Sequence, residues 1–221
     1  MNAPKNPSQP RHPSPFRFQF VRAGAMAFAI LSACSASHAA IFYSESVSGD
    51  LTGDYANPFA GGNLSLGVNS ISGSTVNTDR DYITFTIPAG LAVTSLTLSS
   101  FVSTDDVMFL AITAGSLSID PDTAAANLGG MLGYAHPGTA NTTALLGTDI
   151  LDDLAAGFQA AGFTTPLTPG NYTLWIQQTG PIHVDYGFDI TAVPEPSSIA
   201  WVVGTLLAGG AAYRRLPRRR R

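Results

Sequence analysis

From residue 41 to residue 192 the chain alternates repeatedly between apolar and polar side chains, and Gly, Pro, Asn or Asp interrupts each short run. A period of two is the spacing of a strand with its two faces in different surroundings. Asp81–Ile87 places Ile83, Phe85 and Ile87 on one face and Tyr82, Thr84 and Thr86 on the other. Val93–Phe101 sets Thr94, Leu96, Leu98 and Ser100 against Val93, Ser95, Thr97, Ser99 and Phe101. Asn171–Gln178 alternates Tyr172, Leu174 and Ile176 with Thr173, Trp175 and Gln177. Ile41–Ser48, Leu64–Val68, Ser70–Val76 and Ile182–Ala192 are further strand candidates. Val107–Thr113 is almost continuously apolar, as in a central strand. The turn signals between them include Gly49-Asp50, Pro88-Ala89-Gly90, Pro169-Gly170 and Gly180-Pro181.

Two stretches read differently. The segment up to Asn63 is rich in Gly, Asn and Pro and is expected to be loop. Residues 120–143 are expected to be mainly loop, with a short strand near Met131–Tyr134. One helix is expected over Asp149–Ala160, capped by Thr148, with Ile150, Leu151, Leu154 and Phe158 on its apolar face. Asp149, Asp152 and Asp153 fall in its first turns, where the dipole favours acids. About eight strands and one short helix, with few Lys, Glu or Arg to build helix surfaces, predict a mainly β chain. The expected architecture is an antiparallel β-sandwich, jelly-roll-like.

Charge narrows the partners. Residues 40–193 carry fourteen acids and a single base, Arg80, a local net charge of −13 that basic ends dilute to −4 over the chain. Such a surface disfavours nucleic acid and anionic membrane, and suits divalent cations, basic partners or plain solubility. The one cysteine, Cys34, lies in the leader, so residues 40–193 hold no disulfide, thiol nucleophile or thiolate metal site.

Catalytic signatures are missing. H-E-x-x-H, G-x-S-x-G, G-x-G-x-x-G and the P-loop do not occur. His136 and His183 are isolated, and the aspartates fall at strand ends and turns, where backbone geometry favours them. No enzymatic activity is expected. Ca²⁺ is the cofactor to consider, on oxygen-rich rims formed by Asp79 and Asp81 and by Asp105 and Asp106. Asp120-Pro121-Asp122 opens like an EF-hand loop, but Ala125 stands at the glycine position and Met131 at the bidentate glutamate position. Trp175, Tyr172 or Tyr186, if exposed, would stack on sugars; alternating aromatics are otherwise core residues.

Both ends carry targeting features. Lys5, Arg11, Arg17 and Arg22 precede an apolar run, Ala23–Ala33, too short to span a bilayer and suited to a signal-peptide core. Ser37 and Ala39 are small residues at the −3 and −1 positions, which favours cleavage between Ala39 and Ala40 by signal peptidase. Leu31-Ser32-Ala33-Cys34 has the form of a lipobox and competes, although a lipid there would duplicate an anchor at the other end. At the C-terminus Val193, Pro194, Glu195 and Pro196 precede an uncharged stretch, Pro196–Tyr213, of 18 residues, about the length of a transmembrane helix. Arg214, Arg215, Arg218, Arg219, Arg220 and Arg221 follow as a stop-transfer signal that keeps the C-terminus cytoplasmic and sends the body outward. The two prolines beside Glu195 keep that segment extended and accessible.

This order closely resembles the PEP-CTERM sorting signal of Gram-negative bacteria. The resemblance implies recognition by exosortase, a membrane cysteine protease, and removal of the tail near the PEP motif. It further implies residence at the cell surface or in an extracellular matrix, linked to exopolysaccharide or biofilm. The chain then divides into a signal peptide (1–39), a β-sandwich (40–192) and a sorting signal (193–221). After passing the export machinery it is anchored transiently in the inner membrane; a permanent single-span anchor on a carbohydrate- or calcium-binding module is the alternative.

Three pieces of the body also resemble the bacterial pre-peptidase C-terminal domain. They are Asp79–Gly90, Asp105–Leu110 and Leu167–Ile176. That resemblance implies an accessory β-sandwich, from which the long segment around Asp120–Thr165 departs.

Overall fold

The structure, a computed structural model, describes residues 40–140 and 144–195. The leader, Ala39, Pro196, the apolar C-terminal run and the six terminal arginines lie outside the described residues. Among those described, nine strands form two sheets. In chain order they are β1 (Ala40–Ser44), β2 (Phe59–Asn63), β3 (Gly67–Thr75), β4 (Arg80–Ile87) and β5 (Leu91–Val102). β6 (Phe109–Ala114), β7 (Gly133–Ala135), β8 (Gly170–Gln177) and β9 (Val184–Pro194) follow. Two short helices, α1 (Glu45–Ser48) and α2 (Leu151–Ala155), and two 3₁₀ turns complete the set. No helix among the described residues is long and apolar enough to cross a membrane.

One sheet has the order β1-β3-β9-β5 and the other β2-β4-β8-β6-β7. The last two strands therefore enter the middle of sheets begun by earlier ones: β9 separates β3 from β5, and β8 separates β4 from β6. Most pairs are antiparallel, but the edge pairs β1–β3 and β2–β4 are parallel, which departs from the expected all-antiparallel sandwich. The reason is that the chain changes sheet after each of the first four strands. β1 and β3 are thus separated by a long crossover, and so are β2 and β4, as a parallel pair requires.

The alternation read from sequence has a structural meaning on both faces. Ile83, Phe85 and Ile87 of β4 meet Leu98, Phe188 and Ile190 of the facing sheet in one buried core. Burying a side chain of this kind contributes about 1.5–3 kcal/mol. The opposite face of the second sheet is covered too. Tyr82, Ala111 and Trp175 pack with Ala124 and Met131 from the segment containing the 3₁₀ turns. Trp175 is 5% exposed and its indole lies edge-on to Phe109 at 4.8 Å, so it is no open sugar platform. Tyr172 and Tyr186 are buried as well.

Other local expectations shift. Ile41–Ser48 is a strand only to Ser44 and then turns into α1. Leu64–Val68 and Ser70–Val76 resolve into the single strand β3, and Phe59–Asn63, expected as loop, pairs with β4. The helix expected over Asp149–Ala160 is only Leu151–Ala155, and Thr148 does not cap it. Asp149 Oδ1 instead accepts the Leu151 N–H at 3.1 Å and the Leu96 N–H at 3.0 Å, tying the start of α2 to β5. Ile150, Leu151 and Leu154 are buried as expected, but the chain leaves the helix before Phe158, which is 72% exposed.

The Pro88-Ala89-Gly90 turn forms as read. The Leu91 N–H donates to Pro88 O at 3.1 Å, and Gly90 has φ of 85°, where a side chain is disfavoured. Gly90 O in turn accepts the Glu195 N–H at 2.9 Å. β9 thus continues past Ala192, with Val193 opposite Ala92 and Pro194 opposite Leu91. β3 begins at Gly67 opposite Ala192, so these last residues pair on one side only.

Candidate functional site

Period two places Asp81 on the same face as Ile83, Phe85 and Ile87, so its carboxyl enters the interior at the end of the core. Asp81 is fully buried. Its Oδ2 accepts a hydrogen bond from the Tyr186 hydroxyl at 2.8 Å, which links β4 in one sheet to β9 in the other. Its Oδ1 has no hydrogen-bond partner.

Glu45 approaches from α1. Its Oε2 accepts the Ser74 N–H at 2.7 Å and its Oε1 the Leu51 N–H at 3.2 Å, so two backbone donors hold the carboxylate. Gly73 pairs with Tyr186 across β3 and β9. A Cβ on Gly73 would lie 2.6 Å from both the Tyr186 hydroxyl oxygen and Glu45 Cδ. The missing side chain is what lets these two groups share the space. Asp50, exposed in the loop after α1, is the third acid: one carboxylate oxygen each from Glu45, Asp50 and Asp81 lie within 4.8 Å of one another. Glu45, Asp50, Gly73, Ser74, Asp185 and Tyr186 line an open cleft of about 510 Å³ here.

Electrostatics follows from burial among like charges. Removal from water, with Glu45, Asp79 and Asp50 nearby, pushes the Asp81 carboxyl up to about 8 despite the opposing Tyr186 hydrogen bond. Burial also raises Glu45, against the pull of the Ser74 and Leu51 N–H groups, and raises Asp79. The Tyr186 hydroxyl is raised strongly by burial and by Asp81, and so remains a donor. The cleft offers carboxylates, serine hydroxyls and a tyrosine; no histidine lines it among the described residues. Its chemistry is that of hard oxygen donors, fit for a proton or a hard cation.

The residues expected from sequence are distributed unevenly. Of the four aspartates considered for calcium, Asp81 belongs to the three-acid group, and Asp79 acts on it through charge. Asp105 is engaged elsewhere, and Asp106 is tied to it through its backbone N–H. Asp105 Oδ1 accepts the Asp106 N–H at 2.8 Å and Oδ2 accepts Gln178 Nε2 at 3.1 Å, closing a loop. Asp120 Oδ1 accepts the N–H of Asp122, two residues on, at 3.0 Å. His183 sits 2.9 Å from Asp185 at the surface, and the His136 ring packs against Phe109 and Tyr134. Glu45 and Asp50 were missed, because nothing local distinguishes an acid after a strand or in a Gly-Asp turn. Asp81 carried a usable signal: its parity with Ile83 marks it as inward-facing.

A second hollow, about 340 Å³, lies over the outer face of the second sheet beside Arg80, Phe109, Leu128, Met131, Trp175 and Gln177. Gln177 Oε1 accepts from both Trp175 Nε1 at 3.1 Å and Arg80 Nε at 3.3 Å. Of the residues expected to form a sorting motif, Val193 and Pro194 end β9 and Glu195 is bonded through its backbone to Gly90; Ala40 opens β1. No family model, curated protein or solved structure matches the chain.

Proposed function

We propose that this chain is an exported, non-enzymatic cell-surface or matrix protein, processed by exosortase through its C-terminal PEP-CTERM signal and associated with exopolysaccharide or biofilm. The observation that carries this reading is the C-terminal order itself: Val193-Pro194-Glu195-Pro196, an uncharged run of membrane-spanning length, then six arginines. The place where it begins supports the reading. The motif starts at the final residue pairs of β9, so its first two residues are extended. In this reading residues 1–39 are a signal peptide removed after Ala39. The tail crosses the inner membrane transiently, and the body with its two sheets serves as an accessory sandwich.

The test places an epitope after Arg221 in cells with an active exosortase. Loss of the epitope from the mature protein, and an uncleaved membrane-bound form when Pro194, Glu195 and Pro196 are all replaced by alanine, are the expected results. Full-length tagged protein as the sole species would overturn the sorting reading and leave a permanent anchor. In that second reading the body is a ligand-binding module. The burial of Trp175, Tyr172 and Tyr186 favours a cation over a sugar as its ligand.

A further inference from the structure

We propose that Glu45, Asp50 and Asp81 bind a divalent cation of the size of Ca²⁺, with the Tyr186 hydroxyl orienting Asp81. The proposal stands apart from sorting, since it concerns the folded body alone.

Distance is the first argument. The three carboxylate oxygens lie within 4.8 Å of one another. One ion with Ca–O bonds of about 2.3–2.6 Å holds three oxygens up to about 4.0–4.5 Å apart, so at most a small closure admits Ca²⁺, which tolerates irregular geometry better than Mg²⁺. One oxygen of the group is also unsatisfied. Asp81 Oδ1 is a fully buried acceptor with no donor, on a carboxyl group that faces Glu45 and Asp50. Buried polar atoms are almost always satisfied, and a cation among these oxygens satisfies this one.

Charge points the same way. Arg80 is the single Lys or Arg of residues 40–193, and its Nε is turned to Gln177 on the outer face of the second sheet. Among the described residues no Lys or Arg therefore offsets the three acids, although His183 draws on Asp79 beside them, and a divalent ion relieves their mutual repulsion. The site is also prepared in advance. Two backbone N–H groups fix Glu45, Tyr186 fixes Asp81, and Gly73 leaves the room between them. The remaining coordination positions open to the cleft, where water completes the sphere. Because the ligands come from α1, its following loop and β4, the ion ties the N-terminal edge of one sheet to the other. Its affinity should fall in the range of extracellular modules, a Kd of about 10⁻⁴–10⁻³ M.

The experiment uses the full chain in a non-ionic detergent, with CaCl₂ and MgCl₂ as probes, read by titration calorimetry and by thermal melting with EDTA reversal. Expected are one bound Ca²⁺ per chain, a melting temperature that rises with CaCl₂ and returns with EDTA, and a smaller response to MgCl₂. Asp50 is exposed, so Asp50→Asn sacrifices no packing; it should weaken Ca²⁺ binding at least about tenfold. Asp81→Asn should abolish binding, and the double variant Asp105→Asn/Asp106→Asn should leave it intact. Absence of both heat and a melting shift at about 10 mM CaCl₂, well above the expected Kd, would overturn the proposal. So would binding that survives both Asp50→Asn and Asp81→Asn, a site preferring Mg²⁺, or equal loss in the Asp105/Asp106 variant. None of these outcomes bears on cleavage of the tail.

Discussion

Asp81 shares the inward face of β4 with three apolar residues, so folding takes a carboxyl out of water and sets it against Tyr186. Its neutral form is therefore favoured in the folded chain, with the carboxyl held up to about 8. The unfolded chain releases the same proton at about pH 4. Between these two values the folded state binds more protons than the unfolded one, so stability falls as pH rises. The Asp81 contribution is complete below about pH 4 and gone above about pH 8, with a slope of up to about 1.4 kcal/mol per pH unit between. Glu45 and Asp79, both raised, add to the same direction. Urea unfolding in EDTA at intervals from pH 5 to pH 8 should show this decline, and Asp81→Asn, which cannot ionise, should flatten it. An unchanged slope in the variant would place the titrating group elsewhere.

At the scale of elements, α2 illustrates how tertiary pairing overrides a helical pattern. Leu154 is buried between α2 and the sheets, whereas Phe158, one turn further on by sequence, has left the helix and lies exposed. Leu154→Ala should cost about 2–5 kcal/mol through the cavity it leaves. Phe158→Ala should change stability by no more than about 0.5 kcal/mol, as for a surface position. Equal losses on chemical denaturation would show that the helix extends through Phe158 after all. β9 makes the complementary point. Its two last residues belong by sequence to the tail, yet they pair with β5, so trimming at Ala192 removes part of the sheet while trimming after Glu195 keeps it.

For the whole molecule the governing quantity is charge. With fourteen acids against Arg80 in residues 40–193, self-repulsion opposes compaction. Raising monovalent salt from about 0.01 M to 0.15 M shortens the screening length from about 30 Å to 8 Å. In EDTA this should lift the unfolding midpoint by roughly 2–4 °C, equivalent to about 1 kcal/mol for a domain of this size. NaCl and choline chloride should act equally, because screening does not distinguish them. A larger effect of one cation would instead indicate specific binding.

The sequence alone determined most strand positions, the Pro88–Gly90 turn and the inward set Ile83, Phe85 and Ile87, because a period of two and a glycine in a turn are local properties. It also determined the excess of acid and the order of Pro194-Glu195-Pro196, apolar run and arginines at the C-terminus. Only the tertiary structure decided that β1 and β2 lie parallel to their neighbours, since pair direction depends on which sheet the intervening chain visits. The same holds for Trp175, which alternates like an exposed residue until the segment holding Ala124 and Met131 folds over it. The acidic site is the extreme case. Asp81 and Tyr186 are 105 residues apart, and Glu45 and Ser74 are 29 apart. Each acid is ordinary where it stands in the chain; the two sheets closing on each other are what make the three a single group.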